Sequence, residues 1–258
     1  MMRRHLTFAC GEATLLGTLD EAAGVTGLLL VSGGNETRAG AFSGQAQLAA
    51  RLAAAGHPVF RFDRRGVGDS EGENLGFSQS AQDIAAALDA FRAQLPAMER
   101  VIGFGNCDAA SALMLAEGAG LDGLVLANPW TIEDDSAPPP PKAVRARYAA
   151  KLRNPSELLR LVTGGVSFAK LARGIGQALR PAPQQTTLAQ AMTAGLGRFS
   201  GPVAILLAAR DRTAQAFDAA WDSSDRRIRR CPDATHAFVE PHARVWLYDA
   251  LLAALAQE

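Results

Sequence analysis

"VIGFGNCDAAS" (residues 101–111) leaves an apolar run, passes two glycines, reaches a cysteine and continues into small helix-forming residues. Three chemistries fit a cysteine at such a strand-to-helix turn. The first is a dinucleotide-binding turn, for which Gly103 and Gly105 supply the opening G-x-G. The glycine needed three positions after Gly105 is Asp108, however, and a carboxylate there would repel a pyrophosphate at the helix N-terminus. The second is a nucleophile elbow, small-x-nucleophile-x-small, spelled Gly105-Asn106-Cys107-Asp108-Ala109. That turn is tight enough to require small residues two before and two after the nucleophile. It also lifts the side chain above the sheet at a helix N-terminus, where the dipole favours a thiolate. The third is a buried cysteine chosen for its size, since free cysteine packs as a small hydrophobe.

Outward from this turn, short apolar runs alternate with amphipathic or Ala-rich stretches, the signature of an α/β fold with a mostly parallel, doubly wound sheet. The runs are "GLLLVSGG" (27–34), "PVFRFD" (58–63), "RVIGFG" (100–105), "GLVLAN" (123–128) and "PVAILLA" (202–208). Helices are expected at about 43–55, 79–95, 108–118, 214–222 and 241–256. The opening "HLTFACGEATLLGTLDEA" reads as two strands joined by a turn at Gly11. One interruption stands out. After "ANPW" the chain runs through "TIEDDSAPPPPK" and gives no strand signal until Pro202. Pro138 to Pro141 mark a stiff linker into a helical region, so residues 134–198 are expected to form an inserted helical lid on a core of 1–133 and 199–258.

A chain of 258 residues with 48% hydrophobic and 20% charged residues is long enough to bury one large core carrying a modest insertion. Its zero formal net charge gives no general reason to expect nucleic acid as a partner. The charge is uneven, with nine basic residues and the single acid Glu157 between Lys142 and Arg180. A formal +8 there suits an anionic substrate, peripheral contact with an acidic membrane surface, or simply a solvated face balancing an acidic core. No apolar run is long enough for a signal peptide or a membrane span, which leads to the expectation of a cytoplasmic protein. Cys10, Cys107 and Cys231 lack paired spacing, so neither a disulfide framework nor a metal site is expected.

A nucleophile at Cys107 needs a base downstream and an acid to orient it. Of four histidines, His5 lies in the first strand, His57 precedes a strand and His242 falls within the last helix. His236, in "CPDATHAFVEP", lies in a loop before that helix, after the strand-like "RRIRRC". The acid is expected to be Asp211, just beyond the strand end in "AILLAARDRT", with Glu133 or Asp134 as the alternative. An oxyanion requires backbone N–H donors. One is expected from Asp108 and the other from "SGGNE", assigned to Asn35 with Gly34 as its rival. The literal G-x-S-x-G string "GDSEG" (68–72) follows "RFDRRGV" and enters a polar loop, which is the wrong setting for a nucleophile at Ser70.

The segments "LLLVSGGNETRAG", "FRFDRRGVGDSEG", "VIGFGNCDAAS", "LLAARDRT" and "ATHAF" occur in the order of the α/β-hydrolase superfamily, which the chain resembles over nearly its whole length outside the lid. "DRRGVGDSEG" looks like that family's D-x-R-G-x-G-x-S loop, a structural turn beside the active-site mouth. More narrowly, "RFDRRGVGDSEG" with a Gly-x-Cys-x-Ala elbow resembles the exosortase-system-associated hydrolases found beside bacterial exopolysaccharide systems. The sequence departs from the superfamily in having Cys107 for serine and Ala109 for the final glycine; dienelactone hydrolases in that superfamily also use cysteine. The resemblance implies hydrolysis of an ester, lactone or thioester by Cys107, His236 and Asp211, without metal or organic cofactor. Two alternatives stay open, an acyltransferase to a sugar or amine and a non-catalytic binding protein that keeps the fold.

Overall fold

A computed structural model describes residues 2–133 and 186–257. The basic run from Lys142 to Arg180, Asp134 and most of the expected lid lie outside the described residues. Among the described residues eight strands form one sheet: β1 (Arg3–Cys10), β2 (Ala13–Asp20), β3 (Thr26–Val31), β4 (Val59–Phe62), β5 (Arg100–Asn106), β6 (Gly123–Ala127), β7 (Val203–Ala208) and β8 (Ile228–Cys231). Their spatial order is β1-β2-β4-β3-β5-β6-β7-β8. The β1–β2 and β2–β4 pairs are antiparallel and every other pair is parallel. The opening hairpin turns at Gly11, whose φ of 62° lies where side chains are disfavoured. The strand-like "RRIRRC" supplies β8.

Central strands are apolar at consecutive positions because both faces of the sheet are covered. Leu29 and Val31 face a cluster built with α2 (Ala81–Gln94), α3 (Asp108–Leu115), α4 (Thr187–Arg198) and α5 (Arg212–Ala220). Leu28 and Leu30 face the opposite cluster, built with α1 (Gly44–Ala54) and α6 (Pro241–Leu255). By contrast, β1 alternates exposed and covered residues, as an edge strand with one wet face should.

Within the stretch expected as a lid, Thr187–Arg198 forms a core helix. Its buried residues Ala189, Met192 and Leu196 recur at helical spacing, and Met192 and Leu196 join the cluster that holds α3. A Cβ at Gly195 would sit 2.2 Å from the Met114 carbonyl oxygen, so the backbones of α4 and α3 approach as closely as a glycine allows. The strand pattern alone cannot show this helix, because the next strand begins only at Val203.

Candidate active site

The crossovers from β3 to β4 and from β5 to β6 run in opposite directions, so α1 and α3 lie on opposite faces of the sheet. The carboxyl ends of β3 and β5 therefore open a crevice, the place where parallel sheets hold their ligands. Cys107 stands at its base with φ 64° and ψ −128°. Such a backbone costs about 1–3 kcal/mol in a residue with a side chain. It is held by the Cys107 N–H donating to the Ala127 carbonyl at 3.0 Å and by the close packing of Gly105. A Cβ at Gly105 would fall 2.7 Å from backbone atoms of Ala109 and Ala110. A Cβ at Gly33 would fall 2.5 Å from the Asn106 carbonyl oxygen, so the loop after β3 lies directly against the elbow.

The structure brings Cys107, His236 and Asp211 together. His236 Nδ1 is 3.0 Å from Asp211 Oδ2, and Cys107 lies near enough to the ring to help raise its pKa. The His236 pKa is pushed up to about 10, first by the hydrogen bond to Asp211, then by Cys107, against the opposing effect of burial. Asp211 is the N-cap of α5, where its Oδ2 also accepts from the Ala214 N–H at 2.9 Å. A preferred capping residue thus fixes its carboxylate and offers the same oxygen to the imidazole. Cys107 is half-buried, whereas Cys10 and Cys231 are buried and burial raises both of their thiol pKa values.

Two asparagines that sequence reasoning missed anchor the histidine loop. The His236 carbonyl accepts from Asn128 Nδ2 at 3.0 Å and from Asn106 Nδ2 at 3.2 Å. Asn128 Nδ2 also reaches Asn106 Oδ1 at 2.9 Å, while its Oδ1 accepts from the Ala208 N–H at 2.8 Å. One fully buried side chain at the end of β6 therefore ties together β5, β7 and the base. Its signal in the sequence is a polar residue closing the apolar run "GLVLAN".

The expected oxyanion donors differ in what they do. Asn35 and Asp108 have no hydrogen-bond acceptor for their N–H groups among the described residues. The Gly34 N–H instead donates to Asp108 Oδ1 at 2.6 Å, which removes it as a free donor. The remaining candidates sit elsewhere. Glu133 accepts from the Leu188 N–H at 2.6 Å at the start of α4. Ser70 is buried, donating to the Asp63 carbonyl at 2.7 Å and accepting from the Leu16 N–H at 2.9 Å. His57 bonds the Thr26 carbonyl, His242 the Pro232 carbonyl and His5 the Thr18 hydroxyl. Among the described residues no group of three or more His, Cys, Asp or Glu is placed to hold a metal ion. No helix among them is long and apolar enough to cross a membrane.

The model of the alpha/beta hydrolase family matches residues 28–250. No curated protein sequence matches the chain significantly. Among solved structures, it is similar to the dienelactone hydrolase of Anabaena variabilis, with a TM-score of 0.62 and 16% identity over 97% of this chain and 94% of that one. It is similar to the Pyrococcus furiosus esterase Pf2001, with a TM-score of 0.61 and 14% identity over 98% and 92% of the two chains. It also resembles XC6422 of Xanthomonas campestris, described as a serine hydrolase without a lid, with a TM-score of 0.60, 16% identity and coverage of 99% and 94%. At these identities the likeness is one of fold.

Proposed function

The chain belongs to the alpha/beta hydrolase family, and on that premise we propose that it hydrolyses an ester, lactone or thioester through a covalent acyl-enzyme on Cys107. The observation that carries this reading is a half-buried cysteine on a strained elbow, beside a histidine whose Nδ1 meets the Asp211 carboxylate at 3.0 Å.

In the proposed cycle the Cys107 thiolate, paired with the His236 imidazolium, attacks the carbonyl carbon. The oxygen that becomes negative is met by the N–H groups of Asp108 and Asn35. Collapse breaks the bond to the leaving group, which takes the proton from His236. Neutral His236 then removes a proton from water, hydroxide attacks the thioester carbonyl, and the carbon–sulfur bond breaks to return the thiolate. Asp211 holds the ring in one tautomer and balances the imidazolium charge. These steps need neither metal nor organic cofactor.

Within the family, the pairing of "RFDRRGVGDSEG" with the Cys107 elbow supports placement among the exosortase-associated hydrolases of the cytoplasm. The basic residues of 142–180 support an anionic acyl substrate or a peripheral contact with an acidic membrane. Reversing Arg145, Arg147 and Arg153 should raise KM for an anionic substrate; an unchanged KM with unchanged vesicle binding removes that attraction. The triad itself is tested by intact-mass labelling with an acyl probe. The adduct should disappear in Cys107→Ala and persist in Ser70→Ala, and loss confined to the Ser70 variant would overturn the assignment.

A further inference from the structure

The residue after the nucleophile is an aspartate, and its carboxylate lies beside the place where the reaction proposed above develops negative charge. Asp108 Oδ1 accepts from the Gly34 N–H at 2.6 Å. Its other oxygen is 3.5 Å from Nη2 of Arg64, and the same Nη2 donates to the Gly34 carbonyl. Arg64 Nη1 donates to the Ser80 hydroxyl at 3.1 Å, so the guanidinium is fixed from both ends and its side chain is only 4% exposed. The contacts close a ring in which Gly34 is gripped by its N–H and its carbonyl at once. Arg65, its neighbour, turns the other way to Asp83 and belongs to a different contact.

The grip has a stereochemical consequence. In a trans peptide the C=O and the following N–H point in opposite directions. Fixing the Gly34 carbonyl on Arg64 therefore fixes the direction of the Asn35 N–H, which has no other hydrogen-bond partner among the described residues. The grip also has an electrostatic one. An unneutralised carboxylate beside a developing oxyanion opposes it, and a buried guanidinium within ion-pair distance cancels that opposition.

We propose that Arg64 is a positioning residue for the oxyanion site: with Asp108 it clamps Gly34 so that the Asn35 N–H faces the reacting oxygen, and it neutralises the carboxylate that the Asp108 side chain brings there. This rests on the hydrolase reading above, and the test separates the two. Acylation by p-nitrophenyl acetate passes through an oxyanion, whereas alkylation of Cys107 by iodoacetamide does not. Arg64→Gln should slow the acylation burst by about 10- to 100-fold while alkylation changes by less than about 3-fold. Adding Asp108→Asn, which removes the charge and keeps an acceptor for Gly34, should restore acylation to within about 5-fold of wild type. Arg64→Lys retains the charge and is the second variant should the glutamine variant fail to fold; it should lose about 3- to 10-fold.

The proposal is overturned if Arg64→Gln acylates within about 2-fold of wild type, if alkylation falls in parallel, or if the double variant is no faster than the single one. The Gly34 amide proton reports the clamp without turnover, because a carboxylate partner should hold its NMR resonance far downfield until Asp108→Ala releases it. A wild type that shows this resonance but never acylates at Cys107 overturns the hydrolase reading and the positioning role with it. A wild type that acylates without the downfield resonance overturns the clamp alone.

Discussion

At Cys107 the backbone is held at φ 64° and ψ −128°, a conformation that glycine adopts freely. Cys107→Gly should therefore abolish acylation and yet raise stability to urea by about 1 kcal/mol, the relieved strain outweighing the added freedom of the unfolded chain. Asp211 separates two roles by substitution. Asparagine caps a helix as well as aspartate, so Asp211→Asn should lose the stability of the His236 ion pair but keep that of the cap, while turnover falls by about 10²- to 10⁴-fold for want of an anion behind His236. Asp211→Ala should lose about 1 kcal/mol more, the contribution of the cap. His236 makes a pH prediction with a definite sign. Its pKa rises from 6.5 to about 10 on folding, so its bonds contribute stability that is complete below pH 6.5 and is lost as pH climbs through about 10. The melting-temperature gap between wild type and His236→Gln should accordingly be widest in acid and close between those two values. A gap that widens with rising pH would show that the imidazole is not held in its charged form.

Among the elements, the end of β6 carries more of the site than its length suggests. Asn128→Ala strips the partners from the Ala208 N–H and leaves the His236 carbonyl with only Asn106. Buried groups left without partners cost about 1–3 kcal/mol each, so a loss of about 2–4 kcal/mol in urea unfolding is expected, together with slower acylation. Why Asn128 escaped the sequence while Cys107 did not is a matter of range. The elbow is local, its small flanking residues being required within five positions of chain. Parallel strands are equally plain, because burial on both faces leaves unbroken apolar runs. The order of Asp211 and His236 along the chain could be matched to strand ends. Asn128, by contrast, bonds a carbonyl 108 residues away and Arg64 one 30 residues away, and nothing in either neighbourhood announces the partner. The same limit hid the core packing of α4, a helix expected as part of the lid, because its partner face is on α3.

Taken whole, the described residues form one sheet, and the stretches that flank 134–185 in sequence touch each other: the Leu188 N–H donates to Glu133, and the Thr186 hydroxyl donates to the Thr131 carbonyl at 3.4 Å. Replacing 134–185 by a short Gly-Ser linker should therefore leave the far-ultraviolet circular dichroism and cooperative unfolding of the core intact while changing the choice of acyl group. Loss of cooperative folding in that variant would show that the core depends on residues 134–185. Closing a loop whose ends already meet costs only about 0.6 kcal/mol for each doubling of its length. The seam beside Thr131 thus leaves the length of chain between its two sides open to exchange or extension at a thermodynamic penalty smaller than that of one misplaced residue at the elbow.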